Sequence, residues 1–507
     1  MKKIVSSLLI VSAFLLTACG SGNTTSSSAS STANSTTEKT SASSDATSGA
    51  SEQEYTDPSQ LKESYDVVIV GAGGAGMAAA IQAKEAGANP VIFEKMPIAG
   101  GNTLKSSAGM NASETKFQKE QGIEDANDKF FEETLKGGGD TNDQELLRYF
   151  VDHSAEAIDW LDSMGITLDN LTTTGGMSEK RTHRPTDGSA VGEYLVDGLL
   201  RNVHEREIPL FVNADVVKIN EKDGTVDGVN VKVDGEEKTI ASKAVVVTTG
   251  GFGANMDMVV ENKPELKGYV TTNQEGSTGD GIKMIEALGG QTVDLDQIQI
   301  HPTVDQSKSL LITEAVRGEG AILVNQEGQR FFNEMETRDK VSEAIIALPE
   351  KSAYLIFDAG VKERVKAIDF YEKQGLTKKA DTIEALAQEI NLPEENLQAT
   401  VDTWNKAVAD KKDAEFGRET AMDHDLSTGP FYAIPIAPGI HHTMGGVKIN
   451  TETQVINTEE KVIPGLYAAG EVTGGLHGNN RIGGNAVADI IIFGRQAGNQ
   501  SAGFVKQ

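Results

Sequence analysis

The run Gly71-Ala72-Gly73-Gly74-Ala75-Gly76 lies between an apolar strand-like segment and an Ala-rich helix-like one, and Glu94 ends the next apolar segment. This spacing suits dinucleotide binding. The first glycine permits the tight turn, the second lets a pyrophosphate approach the backbone, and Gly76 lets helix and strand pack closely. N–H groups at the helix start then face the phosphates, and Glu94 is placed to accept hydrogen bonds from the adenosine ribose. The alternative is a glycine-rich turn on an α/β sheet. Gly100-Gly101-Asn102-Thr103 and Ser106-Ser107-Ala108-Gly109-Met110-Asn111 follow closely. Small residues with spare N–H and hydroxyl groups suit a second pass along a long cofactor, so FAD fits better than NAD. Alone, that run would be a polar loop.

The elements that position these residues are legible in part. Tyr65–Val70 and Pro90–Glu94 read as buried strands, Gly71–Gly76 as a turn and Met77–Ala86 as a helix ended by Gly87. Strands are expected at 213–220 and 226–233, with an apolar segment at 244–248. Helices are expected at 361–374, 382–390 and 394–409, the last two separated by Pro393. The segment 430–504 reads as Gly-rich turns.

The chain has 507 residues, a formal charge of −29 and one cysteine. The length suggests two or three folding units. The charge argues against nucleic acid or anionic membrane as partners of the folded body. A single cysteine forbids an intramolecular disulfide, a Cys-based zinc site or an iron–sulfur cluster, and no metal site is assigned. That cysteine is Cys19. Lys2 and Lys3 precede a largely apolar stretch over 4–16, and Leu16-Thr17-Ala18-Cys19 ends it. The pattern is that of a secretory signal, too short for a membrane span of roughly 20 apolar residues. Its end resembles a bacterial lipobox, making Cys19 the lipidation site. Residues 21–51 hold 19 Ser or Thr and no Val, Leu, Ile or aromatic residue, a composition expected to form a disordered tether.

Longer motifs carry a resemblance. They are His301-Pro-Thr303, the run Thr313–Asn325 (TEAVRGEGAILVN), Thr337-Arg-Asp-Lys340, His441–Gly446 (HHTMGG), Pro464–Gly475 (PGLYAAGEVTGG) and Asn480–Ala486 (NRIGGNA). With them, residues 60–505 resemble the soluble fumarate reductase flavoproteins, related to flavocytochrome c fumarate reductases and urocanate reductases. The resemblance implies an α/β fold, a Rossmann-like FAD-binding domain built from two chain segments with an inserted α+β capping domain. The expected layout is a signal peptide at 1–18, a tether at 19–59, FAD-binding segments at 60–254 and 426–507, and a cap at 255–425.

The resemblance also implies roles. His441 and Arg481 would bind one carboxylate of fumarate, and His301, Thr313 and the Glu314 N–H the other, with Gly484 alongside. Arg338 would donate the proton, resupplied through Glu314 and Arg317. Non-covalent FAD would be held by Gly71, Gly73, Ala75, Gly76, Glu94, Asn102, Thr103, Ser107 and Gly109. Asp280, then His442, Glu471, Ala486 and Val487 would complete its site. Leu311 stands where the family often has Met. Retention of His301 and Glu314 favours fumarate over urocanate. The expected reaction is reduction of fumarate to succinate. The alternatives are another enoate (urocanate, acrylate, a cinnamate) or a lipid-anchored flavin electron carrier without turnover.

No haem-attachment Cys-x-x-Cys-His occurs, so electrons are expected from an extracytoplasmic donor, a flavinylated protein or a quinol-linked one. Asp45–Ser51 resembles the short sequence on which a transferase attaches FMN, with Ser51 as acceptor, although a Ser/Thr/Ala/Gly tether also produces such strings by accident. The expected location is outside the cytoplasm, lipid-anchored to the cell membrane as in Gram-positive cells.

Overall fold

The computed structural model describes residues 55–507. The signal peptide, Cys19 and Ser51 lie outside the described residues. The folded body includes Tyr55 and Thr56, ahead of the expected boundary at residue 60. Thr56 donates its N–H to the Leu210 carbonyl, and its hydroxyl accepts the Leu210 N–H, both at 2.9 Å. The Tyr55 hydroxyl accepts the Ala99 N–H.

One six-stranded sheet runs in the order Gln454–Ile456, Val462–Ala468, Ala244–Val247, Val67–Val70, Pro90–Phe93, Leu210–Phe211. All pairs are parallel except the first. Val67–Val70 and Pro90–Phe93 are buried on both faces, which explains their unbroken apolar runs. The helix Gly74–Glu85 starts inside the glycine motif rather than at Met77, because only glycines allow so close a strand-to-helix turn. A Cβ on Gly76 would lie 1.9 Å from the Gly71 carbonyl oxygen.

The segment read as Gly-rich turns contains a 13-residue strand, Phe431–Thr443, and a 20-residue helix, Asn485–Phe504. Gly494 and Gly498 sit in that helix where it crosses the Ala-rich helix Gly74–Glu85. A Cβ would come 2.7 Å from the Ala75 carbonyl at Gly494 and 2.2 Å from that of Ala79 at Gly498. The glycines are packing surface, not turns. The expected helix 361–374 is two helices, Ala359–Arg364 and Ala367–Lys373, broken at Val365, whose φ and ψ of −114° and 88° leave the helical region.

Two apolar cores form. The second gathers residues from Ile312 to Ile436. The apolar side chains of Met258, Leu266, Ile282, Ile285 and Ile298 join the first core instead, so the capping core begins well after residue 255. An antiparallel sheet links the two, in the order Leu310–Leu311, Ile298–Asp305, Phe431–Thr443, Ala353–Asp358, Ile322–Val324. Its longest strand, Phe431–Thr443, passes from one core to the other, with Ile440 in the first and Tyr432 and Ile434 in the second, while Ile298 of the neighbouring strand lies in the first. Gln299 pairs with His442 and His301 with Gly439 at this crossing. Among the described residues no helix is long and apolar enough to cross a membrane.

Candidate active site

A cleft open to solvent lies where the parallel strands end, the place such sheets bind ligands. Gly71, Gly73, Ala75, Glu94, Asn102, Thr103, Asp280 and Glu471 line it. Gly76 does not; it supports the turn. Glu94 accepts the N–H groups of Ala72 and Met96 at 2.8 Å each, which locks the glycine loop against the second strand. Burial pushes its carboxyl up, against those hydrogen bonds. A Cβ placed on Gly73 would have no heavy atom closer than 3.9 Å, so the backbone there faces the cavity. The Thr103 hydroxyl accepts the Gly74 N–H at 3.0 Å.

Asp280 pairs with Lys95 at 2.5 Å, a lining cation with no place in the motif reading. Glu471 accepts the Thr443 N–H at 3.1 Å and lies 3.4 Å from His442 Nδ1; burial pushes its carboxyl up. Open backbone, the helix start at Gly74 and the acid at the second strand fit FAD. Ser107, Gly109, His442, Ala486 and Val487 lie off this cavity. Ser107 and Gly109 are in the loop before Met110, and Ala486 and Val487 are in the first turn of Asn485–Phe504.

The charged site lies at the seam between the cores. Arg338 opens the helix Arg338–Ile346 and is 6% exposed. A cation is disfavoured at the positive end of a helix, and Glu314 offsets this. Arg338 Nε donates to Glu314 Oε1 at 2.7 Å and Nη2 to Oε2 at 3.3 Å. Thr174, from the FAD-binding body, donates its hydroxyl to the same carboxylate at 2.9 Å. Arg317 Nη2 lies 3.5 Å from Glu314 Oε1. Burial alone would raise the Glu314 carboxyl, but Arg338 and Arg317 hold it down at about 2. A Cβ on Gly483 would fall 2.2 Å from Glu314 Oε2, so only glycine lets the loop before Gly484 approach.

Gln299 joins the arginines. Its Oε1 accepts from Arg338 Nη1 at 3.0 Å and from Arg481 Nη2 at 3.1 Å, while its amide donates to Asn480 and the Arg481 carbonyl, each at 2.7 Å. Sequence reasoning missed it. The available signal was a polar residue inside the apolar run 298–301, two positions before His301. Thr174 carried no such signal.

His301 is fully buried, with its ring 5.4 Å from that of His441. His441 Nδ1 lies 2.8 Å from the Thr272 hydroxyl. Burial first, then Arg338 and neighbouring arginines, hold both imidazoles well below the ordinary histidine range. They are therefore neutral hydrogen-bonding groups, and the positive charge around them is that of Arg338, Arg317 and Arg481. Burial lowers Arg481 to about 9. The Thr313 N–H donates to the buried Tyr371 hydroxyl at 2.9 Å. His301 Nε2, Arg481 Nε, and Arg317 Nε and Nη2 are buried without hydrogen-bond partners. Orphaned donors are rare in folded interiors, and their convergence here suits an anionic ligand. Two arginines, two neutral imidazoles and a linked carboxylate can bind a dicarboxylate and pass it a proton.

The chain matches the family model of the FAD binding domain over residues 66–487. It is 55% identical over 441 residues to the NADH:fumarate oxidoreductase of Klebsiella pneumoniae (strain 342), covering 87% of this chain and 48% of that protein. It thus spans about half of that relative's length. It is 44% identical over 461 residues to a fumarate reductase (cytochrome) of Shewanella frigidimarina, covering 90% of this chain and 80% of the relative. The solved open conformation of a flavocytochrome c3 fumarate reductase superposes with a TM-score of 0.74 at 41% identity, covering 89% of this chain and 80% of that one.

Proposed function

The chain belongs to the FAD-binding fumarate reductase flavoproteins, and from that premise we propose that it reduces fumarate to succinate outside the cytoplasm. It is a flavoprotein oxidoreductase acting on a CH–CH bond. The observation that carries the substrate reading is the convergence of Arg338 and Arg481 on Gln299 Oε1, at 3.0 and 3.1 Å. Two guanidiniums held at one atom set fixed positive charge where a small dianion would lie: the Arg481 fork can take two carboxylate oxygens, while Arg338, bound along its other edge to Glu314, stands beside it.

In this reading Arg481 and His441 hold one carboxylate. His301, the Thr313 hydroxyl and the Glu314 N–H hold the other. Neutral imidazoles contribute hydrogen bonds that orient without adding charge. Donors aimed at the carboxylates stabilise negative charge as it develops along the conjugated system, an electrostatic contribution to catalysis. When bound, FAD supplies hydride transfer to one alkene carbon. Arg338 gives a proton to the other carbon and regains one through Glu314 and Arg317. An arginine is a weak acid, with a pKa above about 12, so prompt reprotonation by the Glu314 contact is what makes the role tenable. Closure of the cap over the body would exclude water from this exchange.

The test is oxidation of reduced methyl viologen with a panel of enoates by the wild type and by Arg338→Ala. Fumarate should give the fastest rate, and Arg338→Ala should abolish it. A rate with urocanate, acrylate or a cinnamate but none with fumarate would reassign the substrate. Absence of any rate would leave a flavin carrier.

The electron supply belongs to the same proposal. Lipidation at Cys19 would hold the enzyme at the outer face of the membrane, and FMN esterified to Ser51 would pass electrons from a membrane donor. The composition of residues 21–51 and the Asp45–Ser51 string support this. Intact mass of the mature protein tests it: no FMN-sized increment, or one that survives Ser51→Ala, removes Ser51 from the path.

A further inference from the structure

We propose that Arg418 is a positioning residue for proton delivery, holding Arg317 in register with Glu314; the assignment rests on the relay reading above. The turn Ala315–Gly318 that carries Arg317 is only four residues long. A single turn of helix does not hold itself together, so its geometry must come from outside. Arg317 Nη1 is fixed by the Glu334 carbonyl at 2.6 Å, while its Nε and Nη2 have no hydrogen-bond acceptor. Nη2 is the atom 3.5 Å from Glu314 Oε1. The free edge of the guanidinium thus faces the relay, and the fixed edge faces the cap.

Arg418 grips that fixed side at several points. Its Nη2 donates to the Arg317 carbonyl at 2.7 Å, and its Nη1 donates to the Ala321 carbonyl at 3.1 Å and to Glu334 Oε2 at 3.3 Å. One planar fork therefore ties the end of the Arg317 turn to the start of the following strand. It also ties both to the residue whose carbonyl holds Arg317. A cation binding the last carbonyls of a helical turn is also favoured electrostatically. Arg418 is itself immobilised. It lies 4.4 Å from the Trp404 ring centroid, with Arg330 at 4.8 Å from the same ring. Arg330 in turn makes two 2.8 Å bonds to Glu334 and one of 2.9 Å to Asp413.

This cluster is poorly suited to carry the proton itself. The Glu334 carboxylate accepts from Arg330, Arg418 and the Leu323 N–H, and a carboxylate so saturated is a weak base. Nor is stability a sufficient account, because buried ion networks are often no more stable than apolar packing of the same volume. What such a network does supply here is a fixed direction for one otherwise free guanidinium.

The experiment compares Arg418→Lys, which keeps the charge but loses the fork, with Asp413→Asn, which weakens the Arg330 contact but keeps an amide oxygen for the Arg418 backbone N–H. Wild-type turnover of fumarate is established first; its absence would sink the functional reading and not this one. Arg418→Lys should lower kcat about tenfold, as small misplacements of catalytic groups do. KM should stay within about twofold and the solvent deuterium isotope effect on kcat should rise. Asp413→Asn should lower the melting temperature yet leave kcat and the isotope effect as in wild type. If Arg418→Lys does not fold, Glu334→Gln, which weakens the same grip while preserving the backbone carbonyl, should show the same pattern. An unchanged kcat and isotope effect in the folded variant overturns the proposal. So does a parallel loss of kcat in Asp413→Asn.

Discussion

Glu314 Oε1 lies 2.7 Å from Arg338 Nε and 3.5 Å from Arg317 Nη2, so one buried carboxylate serves two guanidiniums. With its carboxyl held at about 2, it stays ionised across the working pH range and can receive a proton only in passing. Glu314→Gln keeps the shape and removes the charge. We expect kcat to fall by about 10²–10³, within the range for lost acid–base assistance, with KM for fumarate within a few-fold. Stopped-flow and steady-state assays with reduced viologen check this. A KM rise with kcat intact would make Glu314 a binding residue only.

Gln299 predicts a different split. Its amide oxygen is shared by Arg338 and Arg481, so a carboxylate in its place would pair with both. Gln299→Glu should therefore compete with the dianion and raise KM at least about tenfold, the scale of one strong charge-assisted contact. Succinate inhibition should weaken in parallel. Equal loss of kcat and kcat/KM would instead point to disruption of the proton donor.

The FAD cradle was legible because its information is local. Glycine spacing, the flanking apolar runs and Glu94 all fall within about 30 residues, and Glu94 does close the loop by binding Ala72. The seam was legible only through motifs. Gln299 matters because the strand Ile298–Asp305 pairs with Phe431–Thr443 and sets Gln299 opposite His442, a register that no local pattern encodes. Thr174 reaches Glu314 across 140 positions of sequence. The histidine charge state has no local signal for a related reason: burial among arginines, not residue type, sets it. The helix Asn485–Phe504 was lost to a composition rule, since its glycines serve close packing.

That packing is testable. Gly498 meets the Ala79 carbonyl so closely that an added Cβ would sit 2.2 Å from it. Overpacking of this kind costs about 1–3 kcal/mol. Gly498→Ala should lower the melting temperature and, because the helix it packs against, Gly74–Glu85, begins with the cavity-lining Gly74 and Ala75, should weaken FAD retention on gel filtration. At the far end, a Cβ added to Gly503 would meet nothing within 4 Å. Gly503→Ala should be neutral or slightly stabilising. Similar melting temperatures for the two variants would refute the packing argument.

The neutral histidines set the pH behaviour. His301, His441 and His442 are held well below the ordinary value of 6.5, first by burial and then by arginines, and burial lowers His183 to about 4. In the folded protein each gains charge only when pH falls through its lowered value. In the unfolded chain they protonate near about pH 6.5. Between those limits the unfolded state binds more protons, so stability should decline as pH drops below about 6.5 and be unaffected by these groups above it. Calorimetry of the flavin-loaded protein from about pH 8 down to about pH 5 reads this directly. Substrate binding in the same experiment series should be flat between about pH 6.5 and 8, since neither His301 nor His441 changes charge in that range. A fumarate KM that falls steadily as pH drops through about 6.5 would mean that His301 or His441 binds the dianion as a cation after all.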